Sequence, residues 1–226
     1  KLLHVTGPLD ATTLSSVSCS GGEASLAADT AHSTELVFPP LLEPQKEALR
    51  AALGPMVALS NPLDYNTYIW RDTQAMTAAW VPMAASHIGL TLLIVDYPHT
   101  DAADWVCATQ AAIEVRKQSG RPVAVVATLP ELMPHEVAAK LMDAGVVPMN
   151  GLTEAIKAAA ASAEGQNADA FIDDFIALIN DTQSATVRGA AERAAASIIS
   201  DSDKKEDFAT PIFGSYETAV DDGAKY

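Results

Sequence analysis

Residues 18–25 read Ser-Cys-Ser-Gly-Gly-Glu-Ala-Ser and join an apolar, alternating run to an alanine-rich pattern. The run from Leu14 to Cys19 is typical of a strand, and the pattern from Glu23 to His32 is typical of a helix. Paired glycines at such a junction permit positive φ angles and let a ligand approach the main chain. The unpaired N–H groups and the dipole of the helix end favour an anion. This stretch therefore predicts a strand, a turn and a helix start that bind a negatively charged ligand.

Two plainer interpretations of these residues stay open. The pair Gly21-Gly22 also suits a tight turn that only lets the strand and the helix pack together. A carboxylate in the first turn, such as Glu23, complements the helix dipole without any chemical role. The rest of the chain must decide between these interpretations and a ligand site.

Strand and helix patterns alternate from residue 13 to residue 163. After the first strand and helix, strands are predicted at 35–38, 56–60, 90–95, 122–128 and 146–149, and helices at 43–53, 72–86, 101–119, 134–144 and 153–163. Thr153 is the expected cap of the last helix. The alternation predicts an α/β fold, a flavodoxin-like or Rossmann-like three-layer sandwich with a mainly parallel sheet.

Three polar loops follow predicted strands, at 19–23, 61–65 and 97–99. Ligands of open α/β sheets bind beyond the carboxyl ends of the strands, so these loops are expected to meet at one edge. The candidate catalytic group is Glu23, and the candidate substrate- or phosphate-binding residues are Cys19, Ser20, Gly21, Gly22, Asn61, Asp64, Tyr97, Pro98 and His99.

Some of these candidates also fit a structural role. Asp64 and His99 suit loop capping as well as ligand binding. The helix end would favour a Cys19 thiolate, but no base accompanies it in the sequence, so we expect Cys19 to be part of a pocket wall.

Composition excludes several classes of function. The formal net charge is −15, and the 226 residues include only 14 Lys and Arg, which argues against a nucleic-acid partner. No apolar run reaches the roughly 18 to 20 residues of a membrane span, and the first residues lack a signal-peptide pattern, so we expect a cytoplasmic protein. Cys19 and Cys107 lie in separate elements, so we expect reduced thiols and no metal site.

The two ends of the chain differ in character from the middle. Residues 1–12 have no sustained period and contain Gly7-Pro8, which predicts a connector from an upstream domain. Residues 13–163 form the predicted α/β domain. Residues 164–226 combine amphipathic helical patterns with a charged stretch, which predicts a C-terminal helical extension and an acidic linker.

The Ser-Gly-Gly motif with its helix and trailing Asp29, followed by Asn61-Pro62-Leu63-Asp64 after the next helix and strand, resembles a known family. Both motifs are similar to those of the second ligase-type, flavodoxin-like domain of NDP-forming acyl-CoA synthetases, relatives of succinyl-CoA synthetase. The resemblance covers residues 1 to about 163. It implies that a carboxylic acid, CoA and ATP give acyl-CoA, ADP and phosphate through a phosphohistidine. This domain would help to form the acyl and phosphate site, and the fragment alone would be inactive.

The resemblance also implies partners within the same enzyme. A CoA-binding domain and a phosphohistidine segment would precede residue 1, and an ATP-grasp domain, whose opening Ser215 to Val220 faintly resembles, would bind the nucleotide. CoA and ATP with Mg would thus be substrates bound mostly by other domains, and no cofactor is assigned to this fragment. Cys19 and His99 depart from the succinyl-CoA synthetase pattern, which implies a small acid other than succinate. The acid, the choice of ATP or GTP and a homo-oligomeric state stay open.

An alternative from another class is a stand-alone flavodoxin-like module that binds a nucleotide or flavin phosphate on the glycine turn. A flavodoxin would carry a Ser/Thr-rich phosphate loop without Glu23, because a carboxylate there repels the phosphate. A response regulator is disfavoured because the first strand lacks paired acids at its end and no lysine ends the run from Pro122 to Pro130.

Overall fold

The structure, a computed structural model, describes residues 1–163, so the predicted C-terminal extension lies outside the described residues. The strands are β1 (Leu14–Ser18), β2 (Leu63–Asp64), β3 (Leu90–Ile94), β4 (Val123–Ala127) and β5 (Val147–Asn150). The helices are α1 (Leu2–Thr6), α2 (Gly21–Ala31), α3 (Glu43–Leu53), α4 (Thr73–Trp80), α5 (Val106–Ser119), α6 (His135–Asp143) and α7 (Leu152–Ala163). Short 3-10 turns occur at Val81–Met83, Ala103–Trp105 and Pro130–Leu132.

The five strands form one parallel sheet in the order β2-β1-β3-β4-β5. This is the flavodoxin-like order, and it confirms the predicted fold class. The strand order reverses between β1 and β3, which are paired from Leu14 with Leu90 to Val17 with Leu93. We call the edge of the sheet at which the strands end the carboxyl edge. The crevice at this edge beside β1 and β3 is where such sheets bind ligands.

The sheet is buried on both faces, because its side chains alternate between two hydrophobic clusters. On β3, Leu93 packs in a cluster with side chains of α3, α4, α5 and α6, whereas Leu92 and Ile94 pack in a second cluster with α1, α2 and α7. All residues of β1, β3 and β4 are buried. Burying one such aliphatic side chain contributes about 1.5–3 kcal/mol, so the central strands are firmly held.

Capping residues fix two helices beside the sheet. The Asp72 carboxylate accepts a hydrogen bond from the Ala75 N–H at 2.9 Å and caps the start of α4. Gly120 ends α5 in the left-handed conformation at φ 65°, which a glycine adopts without strain. Both caps agree with the polar and glycine signals of the sequence.

Two predicted strands are wrong. Residues 35–38 contribute only a single bridge, between Thr13 and Val37. Residues 56–60 form no strand. Met56 is 85% exposed, and Val57 packs in a hydrophobic cluster without pairing with a strand of the sheet. The strand in this part of the chain is β2, only two residues long, and it begins directly after Asn61-Pro62.

Several helix ends also differ from the prediction. Helix α2 begins at Gly21 instead of Glu23, and neither Gly21 nor Gly22 has a positive φ angle. Helix α4 ends at Trp80 because Pro82 lies in a following 3-10 turn, and a 3-10 turn also precedes α5. Helix α7 begins before Thr153, which therefore lies inside the helix and is not its cap.

The first twelve residues, predicted as a connector, are attached to the sheet domain. They contain α1, which contacts α7 and β5. Leu2 and Leu9 are buried, and the Leu9 N–H donates to the Ser162 hydroxyl at 3.1 Å. Asp10 accepts two hydrogen bonds of 2.9 Å from the Arg121 guanidinium, which holds the pKa of this carboxyl below its ordinary value. Among residues 1–163, no helix is both long and apolar enough to cross a membrane.

Candidate functional site

Three carboxylates from distant parts of the chain gather at the carboxyl edge. Asp64 is the last residue of β2 and pairs with Ser18, the last residue of β1. Asp96 follows β3 by two residues, and Glu23 lies in the first turn of α2, which begins just after β1. We call Glu23, Asp64 and Asp96 the acidic cluster. The parallel register of β2, β1 and β3 brings the three side chains to the crevice where the strand order reverses.

The start of α2 presents free main-chain amides to the same crevice. Ser20 is the extended N-cap residue, and its carbonyl accepts hydrogen bonds from the Ala24 N–H at 3.1 Å and from the Ser18 hydroxyl at 2.9 Å. Within residues 1–163, the amides of Gly21 and Gly22 have no acceptor. They supply the donors that a helix end offers to an oxygen ligand.

Neither glycine of this turn adopts a positive φ angle. A Cβ atom on Gly21 would lie 3.4 Å from the Asp64 carboxylate, and one on Gly22 would lie 3.5 Å from the Ser20 hydroxyl. Both distances are ordinary van der Waals contacts, and both glycines are exposed at the start of α2. The expectation of positive φ angles at these glycines is therefore wrong, whereas the approach of a ligand to their main chain stays a prediction.

Glu23 is the residue of the acidic cluster with a strongly shifted pKa. Its side chain is half-buried, and its Oε2 atom is buried without a hydrogen-bond partner among the described residues. Burial raises the pKa of Glu23 to about 7, and the negative charges of Asp96 and Asp64 contribute to the rise. Near neutral pH Glu23 therefore exists in both protonation states, as an acid–base group or a hydrogen-bond partner of variable charge requires.

The other two carboxylates are held by the protein. Asp96 accepts hydrogen bonds from the Thr128 N–H at 2.6 Å and from the Thr128 hydroxyl at 2.5 Å, which joins the loop after β3 to the end of β4. The Asp64 Oδ1 atom accepts a hydrogen bond from the Asn66 N–H at 2.9 Å. These bonds fix two carboxylates around Glu23, whose side chain makes no such bond within residues 1–163.

Cys19 lies beside the acidic cluster at the end of β1. Its side chain is half-buried, and burial raises the pKa of the thiol, with Glu23 as the next contribution. At neutral pH Cys19 is therefore a neutral thiol and a poor nucleophile. These surroundings fit the pocket wall that the sequence predicts.

Two candidates from the sequence have side chains that serve the fold. The Asn61 amide group donates to the carbonyls of Leu14 at 2.9 Å and Pro39 at 3.1 Å, and its oxygen accepts from the Ser16 N–H at 3.2 Å. These bonds pair backbone groups of β1 that β2 is too short to reach. Tyr97 is 1% exposed, and its hydroxyl shares a hydrogen bond of 2.9 Å with the hydroxyl of Thr109. The Tyr97 side chain therefore supports the loop after β3 and does not reach its surface.

The remaining two candidates lie in the loop after β3, past the acidic cluster. Pro98 is partly exposed and His99 is exposed. No hydrogen bond joins the His99 side chain to any residue in the described part of the chain. The structure thus brings together Cys19, Ser20, Gly21, Gly22, Glu23 and Asp64, and leaves Pro98 and His99 at the rim.

The sequence analysis missed Asp96 as a member of this site. Asp96 directly follows the apolar run of the central strand and directly precedes the polar loop at 97–99. The available signal was a polar residue next to the end of a strand.

The charge of the site restricts its ligands. The free amides of α2 favour an acceptor oxygen, whereas the acidic cluster repels a bare dianion. Burial, Asp96 and Asp64 account for the raised pKa of Glu23, and no lysine or arginine of the described residues offsets them. The best fit is a group with an acceptor at one end and an N–H or O–H donor at the other. Within residues 1–163, no three His, Cys, Asp or Glu side chains are arranged to hold a metal ion.

Comparisons with known proteins are limited to the fold. No family model matches the chain, and no curated protein matches its sequence. Among solved structures, PH0766 from Pyrococcus horikoshii OT3 is 20% identical with a TM-score of 0.59, over 71% of this chain and 37% of that one. Dinucleotide forming acetyl-coenzyme A synthetase 1 from Ca. Korarchaeum cryptofilum is similar over 88% of this chain and 38% of its own, with 13% identity and a TM-score of 0.55 in the apo form.

The complex of the same synthetase with phosphate and ADP gives 12% identity and a TM-score of 0.55, over 88% of this chain and 37% of that one. At these identities the likeness shows a shared fold. The chain therefore spans less than two fifths of the length of the solved proteins that it resembles.

Proposed function

We propose that this chain is a domain of an NDP-forming acyl-CoA synthetase, in which the start of α2 and the acidic cluster form part of the acyl and phosphate site. The observation that carries the proposal is the position of Glu23. It lies half-buried between two fixed carboxylates and beside free helix amides. Burial and the two neighbouring carboxylates disfavour the ionised form of Glu23. A carboxylate that served only to complement the helix dipole would not need such surroundings.

The fold likeness and the sequence motifs support the proposal independently. Two of the similar structures belong to an acetyl-coenzyme A synthetase, and the chain spans 37–38% of that protein, as a domain of a larger enzyme would. The Ser-Gly-Gly and Asn-Pro-Leu-Asp motifs resemble the same class of enzyme. We propose that the CoA-binding domain, the phosphohistidine segment and the ATP-grasp domain belong to other parts of the enzyme.

The mixed charge of the site suits a phosphohistidine. The phosphoryl oxygens accept hydrogen bonds, and the free amides of Gly21 and Gly22 are placed to donate them. The opposite nitrogen of the imidazole ring carries a proton, and a carboxylate such as Glu23 can accept it in a hydrogen bond. The same carboxylate would stabilise the imidazolium charge that develops as the histidine takes up the phosphoryl group, and that is lost again when the group leaves.

The stand-alone binding module is less well supported. A nucleotide or flavin phosphate on the turn at Gly21 would bring two or more negative charges towards the acidic cluster. Such a ligand has no donor group to offer Glu23 from its phosphate end. The arrangement of charges thus favours the synthetase domain.

The test uses the natural full-length protein with a panel of small carboxylic acids, CoA and ATP, and measures ADP release and acyl-CoA formation. We expect acid-dependent turnover by the wild type and a fall of about 100-fold for Glu23→Gln, the usual size of a lost acid–base or charge-stabilising group. Glu43→Gln is the matched control, because Glu43 is also a first-turn acid but lies exposed on α3. Equal turnover by wild type and Glu23→Gln would exclude this role for Glu23.

A further inference from the structure

Trp70 and Trp105 form an aromatic pair at the carboxyl edge. Their ring centroids lie 5.5 Å apart and their planes are inclined by 70°, which is an edge-to-face contact. Trp70 lies in the segment between β2 and α4, and Trp105 lies in the segment between β3 and α5. The side chains of Arg71 and Asp104 form an ion pair between the same two segments. Two adjacent contacts therefore hold these segments together.

The aromatic pair spans the end of β1. Strands β2 and β3 are not neighbours, because β1 lies between them in the sheet. A contact between the segments that follow β2 and β3 therefore spans the carboxyl end of β1, on the face of the sheet that α4 and α5 cover. Cys19 directly follows β1 and packs against the same hydrophobic cluster as both indole rings. The pair thus lies at the strand end from which Cys19 and the start of α2 continue.

Tyr65 and Cys107 connect the aromatic pair to Cys19. Tyr65 is buried, and its N–H donates to the Ser18 carbonyl at 3.0 Å, so this residue lies beside the end of β1. Burial raises the pKa of Tyr65, and Cys19 and Cys107 are the next causes of the rise, so both thiols lie near its ring. Cys107 also packs against the same hydrophobic cluster, two residues after Trp105. Apolar and weakly polar side chains therefore continue from Cys19 to the aromatic pair.

The exposure of the aromatic pair distinguishes it from a tryptophan that serves the core. Trp80, the third tryptophan of the chain, is only 1% exposed and packs inside the hydrophobic cluster. Trp70 and Trp105 are each partly exposed, and Tyr68 in the same segment as Trp70 is 82% exposed. Aromatic rings that stay open to solvent beside a ligand crevice offer an apolar binding surface.

The charges near the aromatic pair favour an uncharged ligand group. The Arg71 guanidinium is paired with the Asp104 carboxylate. The second carboxylate of a dicarboxylic acid would have to compete with Asp104 for this guanidinium, and the acidic cluster would repel it. An alkyl or aryl group has no such cost and gains from leaving water at the indole rings.

We propose that Trp70 and Trp105 bind the apolar group of the carboxylic acid substrate, whose carboxylate then faces the start of α2. This inference rests on the proposed function and names its substrate class. The class is the monocarboxylic acids with a branched alkyl or aryl group larger than the methyl group of acetate. Indole rings bind such groups by burial of apolar surface and, for aryl groups, by edge-to-face contact. Cys19 is the pocket wall between the rings and the amides of α2.

The first test measures binding without turnover. The natural full-length protein is labelled with fluorotryptophan, and the fluorine NMR signals of the three tryptophans are assigned by their loss in Trp70→Phe, Trp80→Phe and Trp105→Phe. The probes are acetate, isobutyrate and phenylacetate. We expect isobutyrate and phenylacetate to shift the signals of Trp70 and Trp105 at concentrations about tenfold lower than acetate requires, while the signal of the buried Trp80 stays in place. Unshifted signals of the aromatic pair, or equal half-saturation by the three acids, would overturn the inference.

The second test measures the choice between acids in Trp70→Leu and Trp105→Leu, with Tyr68→Leu as the matched control on an exposed ring. The readout is the ratio of kcat/KM for phenylacetate to kcat/KM for acetate, which a loss of folded protein leaves unchanged. We expect this ratio to fall roughly tenfold in both tryptophan variants and to stay the same in Tyr68→Leu. An unchanged ratio in the tryptophan variants overturns the inference alone. No turnover of any of the three acids by the wild type would count against the proposed function itself, and the inference would fall with it.

Discussion

Replacing Glu23 with Gln should stabilise the protein at alkaline pH while it removes activity. The pKa of Glu23 in the folded protein is about 7, against an ordinary value of 4.5. The group is therefore protonated more readily in the folded state than in the unfolded state, and its ionisation between these values costs stability as the pH rises. Gln is neutral throughout and avoids that cost.

The size of this effect follows from the same values. At about 1.36 kcal/mol per pH unit, complete burial would give a cost of ~3 kcal/mol above pH 7. Glu23 is only half-buried, so solvent screening reduces the cost to about 1–2 kcal/mol. Below pH 4.5 both states are protonated and the cost is absent.

Urea unfolding of the 226-residue chain between pH 5 and pH 8 measures this difference. We expect the free energy of unfolding of Glu23→Gln to exceed that of the wild type by about 1–2 kcal/mol at pH 8, and the excess to shrink towards pH 5. The control Glu43→Gln removes an exposed carboxylate paired with Lys46 and should change stability by less than about 0.5 kcal/mol at either pH. A Glu23→Gln variant that is less stable at pH 8, or whose difference is the same at all pH values, would refute the electrostatic reasoning.

Three further substitutions test the supports of the site. Asp96→Asn removes one of the charges that raise the pKa of Glu23, so the pH profile of acyl-CoA formation should move to lower pH. An unchanged pH profile would show that Asp96 does not influence Glu23. Asn61→Ala removes three hydrogen bonds at the edge of β1 and should lower the free energy of unfolding by about 2–4 kcal/mol in urea titrations, where a loss below about 1 kcal/mol would contradict the assigned contacts. Gly21→Ala should preserve the melting temperature, because its Cβ meets only the Asp64 carboxylate at 3.4 Å, yet lower turnover by covering the amides; full turnover would argue against a ligand there.

Much of the fold follows from local sequence patterns. The apolar run at β3 and the alternation of strand and helix through residue 163 predict a parallel sheet, because strands that are apolar on both faces and joined by helices are typical of such sheets. The short strand β2 could not be predicted from its own residues. Beyond β2, the Asn61 side chain pairs with the backbone groups at the edge of β1. These contacts join residues 45 or more positions apart in the chain, so local patterns do not reveal them.

The candidate site was predictable at its centre and not at its periphery. The turn from Cys19 to Glu23 precedes a clear helix, so its exposure at the carboxyl edge follows from the fold class. The acidic cluster depends on strand order, which brings Asp64 and Asp96 to either side of β1. Asp-Tyr occurs in the sequence at 64–65 and again at 96–97, and only the structure shows that the Tyr97 hydroxyl pairs with the Thr109 hydroxyl.

The central claim is that the start of α2 receives a phosphorylated histidine beside Glu23. The most direct measurement is the rate at which the natural full-length protein acquires acid-labile phosphate from radiolabelled ATP, in the wild type, Glu23→Gln and Glu43→Gln. We expect wild type and Glu43→Gln to be labelled at the same rate and Glu23→Gln to be labelled about 100-fold more slowly. Equal labelling of all three proteins, or no acid-labile phosphate in any of them, would contradict the claim.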